Sequence, residues 1–580
     1  MSITLQNHYR IAGRGRVIFA FANIHPPFGT FLAQWPLKLA GQCTHSPAAG
    51  KIALMYLRNE RSYFFHSRKF FSFLLFALLI TACSTPAAEQ VYLPTYDPFL
   101  PMEVTPAEKS PAQNPNAPRP PTPTRAPLTV PLPGEFSAGT PTPDARHALP
   151  TLRPAAEQYV VQPGDTLGLI AQGYGISVAA LMEANNISDP NLLEVGAALT
   201  IPAPNPADAG TAYKVIPDSE LVYGPASVYF NVKDFIQSQN GYLASYTQDV
   251  NGAVMSGDEI VAFVSANYSV NPRLLLAMLE YQSGWVTNPL PEEASYPMGL
   301  QDEYHFGLYR QLTWAADTLN RGYYLWKANA ISAWILNDGA VVPANPTINA
   351  GTAAVQYFFA QLNGRAAWEK DVDGTGMLLT YVVFFGNPFK YAIEPLVPQS
   401  ITQPALTLPF GSGETWYFTG GPHGGWDSGS AWAALDFAPP GDLGCAASPL
   451  WVLASASGLI VRASDGAVML DLDNDGYEQT GWNILFMHIA ADERAQPGEY
   501  LFTGERIGHA SCEGGFSNAT HVHIARKYNG EWIPADGALP FNLEGWVSSG
   551  TGREYDGFIT KGSRSIEALD SADELNQVTR

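Results

Sequence analysis

The stretch Ala519-Thr520-His521-Val522-His523-Ile524 decides how the C-terminal part of this chain is interpreted. In a strand, residues two apart point to the same face, so His521 and His523 can enter one site together. His423 and Asp436 lie about a hundred residues upstream. Neutral imidazole and carboxylate are the groups that zinc takes when three protein ligands leave a fourth position for water. The sequence therefore predicts a zinc site of the hydrolytic kind.

Five short segments accompany these residues in one order along residues 404–562. They are Gly420-Gly421-Pro422-His423, Ser428-Gly429-Ser430, Ala434-Leu435-Asp436-Phe437, Leu485-Phe486-Met487-His488-Ile489 and Gly504-Glu505-Arg506-Ile507-Gly508. With them, the C-terminal stretch resembles the M23 family of zinc peptidases, the LytM and lysostaphin type that cut peptidoglycan cross-bridges. The step from His423 to Asp436 is longer than in most members and is similar to the LasA or beta-lytic branch.

This resemblance implies a mainly antiparallel β domain that binds one Zn²⁺ per chain. It implies that His423, Asp436 and His523 hold the zinc ion and that His488 and His521 stay unligated beside the reacting centre. Zinc lowers the pKa of its water to about 7, and free imidazoles near that pKa can move protons during hydrolysis. Which of the two histidines has which role is open. The alternative is that some of the histidines are supporting or surface groups.

His509 is the histidine that best fits that alternative, because the family has no fixed ligand at its position. The chain ends in residues 563–580, which we expect to form a flexible tail.

An apolar run at residues 70–80 indicates an export signal. It follows the basic residues Arg61, Arg68 and Lys69. The run is too short to span a bilayer comfortably, which is typical of a signal peptide. It ends in Ile80-Thr81-Ala82-Cys83, which resembles a bacterial lipobox. Residues 55–83 are therefore predicted to be a lipoprotein signal peptide, with Cys83 lipidated and anchored to a membrane. An ordinary secretory signal is the alternative.

The rest of the N-terminal region is expected to have no fold. A signal peptide begins near its charges, so Met55 is the expected start and residues 1–54 a non-native upstream extension. Residues 84–156 are dominated by proline, alanine and threonine and cannot bury enough apolar surface to fold. Such a disordered linker favours extended polyproline II and would hold the following domains away from a lipid anchor.

Residues 157–203 resemble a LysM domain along their whole length. The opening Tyr159-Val160-Val161-Gln162-Pro163-Gly164-Asp165-Thr166-Leu167 and the closing Val195-Gly196-Ala197-Ala198-Leu199-Thr200-Ile201-Pro202 carry the likeness. Two strands that flank two short helices give a small βααβ unit. The resemblance implies binding of N-acetylglucosamine in glycan strands, and a spacer role is the alternative. The implied glycan contacts are Gly164, Asp165, Thr166, Asn191 and Leu193.

Residues 212–397 are predicted to be mainly α-helical. Asn271-Pro272 favours a helix start, and the residues that follow it are apolar on one face. This helix resembles the catalytic helix of lysozyme-like lytic transglycosylases, but Gln282 stands where that family has its glutamate, and Glu280 points elsewhere. Glutamine cannot transfer the proton. A degenerate glycan-binding lysozyme-like domain, an active glycosidase and an unrelated helical spacer remain open.

The cysteines indicate an oxidising compartment. Cys43 lies outside the expected mature protein and Cys83 is expected to carry lipid, which leaves Cys445 and Cys512 in the hydrolase domain. These two are expected to form a disulfide. Free thiols that add zinc ligands are the alternative.

The segment Asp471-Leu472-Asp473-Asn474-Asp475-Gly476 imitates the first half of an EF-hand loop. Its twelfth position is Trp482, where a bidentate glutamate should be. We predict a hairpin turn, because Asn, Asp and Gly favour strand reversal. Calcium binding is the alternative.

Length and charge limit the functions that this chain can have. A chain of 580 residues should hold several domains. Its formal net charge of −21 argues against nucleic acid as a partner. We therefore expect a multidomain, extracytoplasmic peptidoglycan hydrolase, lipid-anchored and facing the cell wall, that binds glycan strands and cuts cross-bridge peptides. The alternatives are a catalytically inactive LytM-type activator of cell-wall amidases and a glycan-binding envelope lipoprotein.

Overall fold

The first described segment is a small unit built on two paired strands. The computed structural model describes residues 146–162, 164–190, 193–205, 207–390 and 392–580. Strands β1 (Glu157–Val160) and β2 (Ala198–Ile201) pair antiparallel and flank helices α1 (Leu167–Gly173) and α2 (Val178–Asn185). Side chains cap both helices, Thr166 at α1 and Ser177 at α2. The predicted βααβ fold is confirmed.

Several predictions concern residues outside the described ranges. They are the upstream extension 1–54, the signal peptide 55–83 with Cys83, residues 84–145 of the linker, and Asn191. Within the described part of the chain, no single helix has the length and apolar character to cross a membrane. The pair α1 and α2 passes that test only when taken together, with a bend of 106° between them.

The middle region is mainly α-helical, as predicted. Its helices are α3 (Asp218–Leu221), α4 (Val232–Gln239), α5 (Gly257–Tyr268), α6 (Pro272–Ser283), α7 (Leu308–Lys327), α8 (Ala350–Leu362), α9 (Arg365–Asp371) and α10 (Met377–Phe385). Two hairpins accompany them, β3 (Thr247–Val250) with β4 (Ala253–Ser256) and β5 (Ala333–Ile335) with β6 (Val341–Pro343). Helix α6 begins where the Asn271 side chain accepts a hydrogen bond from Arg273 N and ends at Gly284, whose φ is +68°.

The C-terminal region is a β domain. Its strands are β7 (Thr415–His423), β8 (Ala434–Ala438), β9 (Trp451–Leu453), β10 (Gly458–Ser464), β11 (Ala467–Asp471), β12 (Trp482–Met487), β13 (Tyr500–Leu501), β14 (Arg506–His509), β15 (Val522–Tyr528), β16 (Glu531–Trp532), β17 (Asn542–Leu543), β18 (Trp546–Gly550), β19 (Gly557–Lys561), β20 (Arg564–Glu567) and β21 (Gln577–Thr579). The main sheet has nine strands, in the order β13-β10-β11-β12-β15-β8-β7-β21, with β16 beside β15. Its neighbouring strands run antiparallel, as predicted.

The two faces of this sheet bury different residues. Alternation along β12 sends Ile484 and Phe486 into a large core, while Leu485 and Met487 join a smaller cluster on the other face. The smaller cluster packs against Tyr324 of helix α7. We call the face that carries it the helix-side face, because the helical region covers it.

The helical region holds the loop that connects β7 and β8. Gly429 N donates to Asp317 Oδ1 at 2.6 Å, and the Tyr268 hydroxyl donates to Asp427 at 2.8 Å. Arg321 donates to Ser428 Oγ at 2.7 Å. This loop separates His423 from Asp436 in the sequence, so the helical region restrains the chain between two predicted ligands.

Two expectations of disorder are wrong where the structure describes the residues. The predicted tail 563–580 contains β20 and β21, and β21 pairs with β7 at the edge of the main sheet. Val578 is fully buried there. Residues 146–156, the end of the predicted linker, pack on the folded units: the His147 ring stacks on Trp326 with ring centroids 4.6 Å apart. Both segments fold because a preformed surface accepts a few side chains.

Residues 472–481 connect the antiparallel strands β11 and β12. The hairpin predicted at this acidic segment is therefore confirmed.

Candidate metal centre

Three neighbouring strands of the main sheet bring the predicted ligands together. His523 of β15 lies directly opposite Asp436 of β8, and both point to the helix-side face. His423 ends β7, whose pairing with β8 is shifted twice between Phe418 and His423. Such bulges change the direction in which side chains point. Gly420 lies opposite Asp436, and a Cβ there would come within 2.5 Å of Asp436 Oδ2, so the carboxylate needs a glycine beside it.

The ligand atoms of these three residues form a small triangle. His423 Nε2 lies 2.9 Å from His523 Nδ1, and each of these nitrogens lies 3.3 Å from Asp436 Oδ1. Two ligands of a tetrahedral zinc ion with bonds of about 2.0 Å are about 3.3 Å apart. The triangle therefore has the dimensions of one face of a zinc coordination tetrahedron.

Backbone carbonyls fix which nitrogen of each histidine faces the centre. His423 Nδ1 lies 2.7 Å from Gly421 O, and His523 Nε2 lies 3.2 Å from Gly425 O. A carbonyl only accepts, so each of these nitrogens carries the hydrogen. The opposite nitrogens are then bare lone pairs that face each other and Asp436. Metal-ligating histidines are oriented in this way.

These facing lone pairs need a cation. The three ligand residues are at most 7% exposed, and Asp436 Oδ1 has no hydrogen-bond partner among the described residues. Burial works against the charged form of each group. The neighbouring histidines nevertheless hold the pKa of Asp436 well below its usual range, and Asp436 raises the pKa of His423. Two imidazole nitrogens and one carboxylate oxygen make a donor set that fits zinc.

The two histidines predicted to stay unligated lie beside the triangle. His488 follows β12 with φ +63°, and its ring centroid is 4.5 Å from that of His521. His521 Nε2 is 3.7 Å from Asp436 Oδ1. Both Nδ1 atoms face carbonyls, His488 toward Glu513 O and His521 toward Ala519 O. Among the described residues, neither Nε2 atom has a hydrogen bond, and that of His521 faces Asp436.

His488 is held in the neutral form. Burial lowers its pKa well below the usual value, and the nearby His521 and His523 rings lower it further. A buried neutral imidazole beside a metal-bound water can accept a proton, whereas a charged one cannot. His488 can therefore serve as a base.

Ser511 joins the segments that carry these two histidines. Its backbone N and its Oγ both donate to His488 O, at 2.7 and 3.0 Å, and it forms a bridge with His521. The adjacent Cys512 forms the predicted disulfide with Cys445, with Cα atoms 5.1 Å apart. The disulfide therefore restrains the segment that leads to His521.

His509 lies outside the centre. Its Nδ1 is 3.1 Å from Leu450 O, its Nε2 is 3.1 Å from Glu493, and its ring packs on Trp451. The supporting role expected for it agrees with these contacts.

Tyr555 is a site residue that the sequence did not reveal. Its ring stacks on His423 with centroids 4.2 Å apart and planes 18° apart. The adjacent Glu554 accepts a hydrogen bond from Gly424 N. No motif singles out Tyr555, because its loop lies more than a hundred residues after His423 in the sequence.

Three of the predicted glycan contacts of the LysM unit contribute to its own structure. Asp165 Oδ2 accepts from the Tyr159 hydroxyl and from Gln162 N, both at 2.6 Å. Thr166 caps α1, and Leu193 packs against the core of the unit. Gly164 has φ +86° and nothing within 4 Å of a Cβ placed there. Glycan contact at these residues stays a prediction.

The helix compared with a transglycosylase has no free carboxylate at its end. Glu280 accepts from Val286 N, Thr287 N and Thr287 Oγ1 at 2.5 to 3.0 Å. Gln282 donates to Met298 O. Both side chains stabilise the turn after α6, so this geometry gives no support to an active glycosidase.

Comparisons with known proteins assign two parts of the chain. Residues 159–202 match the model of the LysM domain, and residues 214–399 match the model described as LasA, N-terminal domain. The chain is 38% identical over 102 residues to N-acetylmuramoyl-L-alanine amidase XlyA of Bacillus subtilis, which covers 18% of this chain and 33% of that amidase. The chain thus spans about a third of that relative. It is 24% identical over 305 residues to protease LasA of Pseudomonas aeruginosa, which covers 49% of this chain and 69% of that protease.

Solved structures show a likeness over smaller shares of this chain. The M23 metalloprotease pseudoalterin, from the deep sea, is 24% identical and covers 29% of this chain and 96% of its own, with a TM-score of 0.24. The catalytic domain of lysostaphin from Staphylococcus simulans is 24% identical and covers 21% of this chain and 88% of its own, with a TM-score of 0.16. The two domain models and the likeness to the LasA proteases support an M23 family peptidase with a LysM domain.

Proposed function

We propose that this protein is a zinc-dependent endopeptidase that cleaves peptide cross-bridges of the bacterial cell wall. The observation that carries the proposal is the ligand triangle of His423, Asp436 and His523, with two histidines fixed as lone-pair donors by backbone carbonyls. Relatives named as a protease and as an amidase of muramoyl peptides support a wall substrate.

The residues of the centre would have different roles in the reaction. Zinc, when bound, supplies a water of lowered pKa and polarises the scissile carbonyl. His423, Asp436 and His523 would hold the ion. His488, neutral and buried, would accept the proton of the attacking water. His521, whose Nε2 faces the same space, would donate a hydrogen bond to the oxyanion or a proton to the leaving amine.

The other parts of the chain would place this chemistry on the wall. The LysM unit would bind glycan strands and raise the local concentration of bonds to cut. Cys83 would carry lipid and anchor the protein outside the cytoplasm. We propose these roles from the sequence resemblances and from the LysM match.

Hydrolysis of purified peptidoglycan by the full chain tests the proposal. Release of new amino groups should depend on zinc, stop with a chelator and return with added zinc. Asp436→Ala should lose more than about 100-fold of the rate, since removal even of groups that orient a ligand costs 10- to 100-fold. Asp570→Ala is the matched control, because Asp570 is an exposed aspartate outside the centre.

Zinc content is measured in the same samples. Wild-type protein with zinc bound that releases nothing from several wall types would contradict the peptidase and favour an activator of wall amidases. A rate unchanged in Asp436→Ala would contradict the assigned ligands.

A further inference from the structure

The hairpin between β11 and β12 carries a second cluster of acidic residues. One carboxylate oxygen from each of Asp471, Asp473 and Asp475 lies within 4.8 Å of the others. Asp471 is fully buried, whereas Asp473 and Asp475 are exposed. Oxygens on opposite sides of a calcium ion are about 4.6 to 5.2 Å apart. The spacing therefore fits three ligands of one calcium ion.

A buried amide next to this cluster lacks a hydrogen-bond partner. Asn483 is fully buried, and none of the described residues hydrogen-bonds its Oδ1. Asn483 lies directly opposite Asp471 on the neighbouring strand, so the two side chains leave the same face of the sheet. Its Nδ2 donates to Thr480 O inside the hairpin, which places the amide within the loop.

An unmatched buried oxygen costs about 1 to 3 kcal/mol, so native proteins rarely leave one without a partner from the protein, from water or from a bound ion. Asn474 Oδ1, in the same loop, is a second buried oxygen with no partner in the described part of the chain. Both orphan atoms are acceptors. A bound cation would satisfy these two amide oxygens together with the three carboxylates, whereas another acceptor would not.

We propose that this hairpin binds a calcium ion through Asp471, Asp473, Asp475 and Asn483, at a site separate from the zinc centre. Calcium takes six to eight oxygens in flexible geometry, from carboxylates, amides and carbonyls. The position of a bidentate glutamate in an EF-hand holds Trp482 here. The amide oxygen of Asn483, the next residue, offers a ligand instead.

The electrostatics of the loop agree with this assignment. Three carboxylates this close repel one another unless a proton or a metal ion lies between them.

The site lies at a junction between the sheet and the helical region. Tyr477 of the loop packs edge-to-face on Tyr229, with ring centroids 6.1 Å apart. Gly481 N donates to Asn529 Oδ1 at 2.9 Å, and Asn529 in turn donates to Leu396 O at 2.8 Å. Asp471 ends β11 far from His488, which follows the other end of β12. Calcium would therefore stabilise the domain junction without entering the hydrolytic reaction.

Thermal unfolding of the zinc-loaded full chain tests the proposal. Calcium chloride at millimolar concentration should raise the Tm by about 2 °C or more in a saturable way, because a ligand of the native state stabilises it by mass action. Magnesium chloride at equal ionic strength should raise it much less. Asp473→Asn with Asp475→Asn should abolish the calcium response and leave zinc content and wall hydrolysis unchanged. Asp570→Asn is the control for loss of an exposed negative charge.

Titration calorimetry with calcium chloride gives a measurement that needs no variant. We expect about one calcium ion per chain, with a Kd between about 10⁻⁴ and 10⁻³ M, as in extracellular modules. Absence of binding would overturn the proposal. So would an equal Tm rise in the double variant, because it would reflect screening of the acidic surface as a whole.

Discussion

Removal of the Cys445–Cys512 disulfide should destabilise the β domain by about 4 kcal/mol. The bond joins residues 67 apart in the sequence. In the chain-entropy model, a closed loop of that length contributes about 14 to 15 cal/mol/K, or about 4 kcal/mol at 25 °C. The corresponding fall in Tm is about 10 °C for a domain of this size.

Removal of the disulfide should also lower the rate of hydrolysis. Thr520, next to His521, donates from its backbone N to Gly444 O and from its Oγ1 to Ala446 O, both at 2.7 Å. These acceptors flank Cys445, so a looser loop would displace His521 while the three zinc ligands stay in their strands. We expect the double variant Cys445→Ser, Cys512→Ser to keep zinc and to lose rate.

Scanning calorimetry of the zinc-loaded wild type and the double variant measures the effect. Dithiothreitol should lower the Tm of the wild type toward that of the variant and leave the variant unchanged. A Tm difference under about 2 °C would refute the reasoning, because the hydrogen bonds of Thr520 would then suffice to hold the loop.

Two further changes have defined outcomes. Burial alone would raise the pKa of Glu478, but the charges of Arg462 and Lys527 outweigh burial and lower this pKa to about 2. The ion pairs therefore stabilise the folded protein above about pH 4.3, and this stabilisation is lost as the pH falls toward 2. Glu478→Gln should therefore lower the free energy of unfolding, measured with urea, by about 3 to 5 kcal/mol at pH 7 and by progressively less below pH 4. An equal loss at pH 3 would contradict the ion-pair origin. Tyr555→Ala, which removes the ring stacked on His423, should weaken zinc affinity by about 10-fold, whereas Tyr555→Phe should keep it. Equal losses in the two Tyr555 variants, measured by competition with a zinc chelator, would assign the effect to the hydroxyl.

The proposed ligands Asp436 and His523 were predictable because they lie on regular strands. Alternation places His523 on one face of β15, and the adjacent strand places Asp436 opposite it. Five ordered segments carried the family resemblance, and the long step from His423 to Asp436 carried the likeness to the LasA or beta-lytic branch. The helical middle region followed from an apolar helix face and from the helix start at Asn271, and the LysM unit followed from its resemblance to that domain.

Residues that act through tertiary contact were not predictable. Tyr555 contacts His423 only because β18 and β19 fold back toward β7, and no local pattern reports that path. The sequence predicts a flexible tail at residues 563–580, yet Val578 and the three-residue strand β21 complete the edge of a sheet formed by distant residues. Short segments of this kind gain their order from the surface they join.

Both proposed cation centres lie on the same face of one sheet. Asp436 and Asp471 point to the helix-side face, where water is excluded and like charges or lone pairs repel strongly. Strand alternation fixes these side chains inward, and backbone donors and carbonyls fix their orientation before any ion arrives. Each arrangement places several acceptor atoms side by side, and a bound cation would stabilise both. Because zinc and calcium differ in their preferred ligands, the histidine-rich centre and the all-oxygen hairpin should load independently.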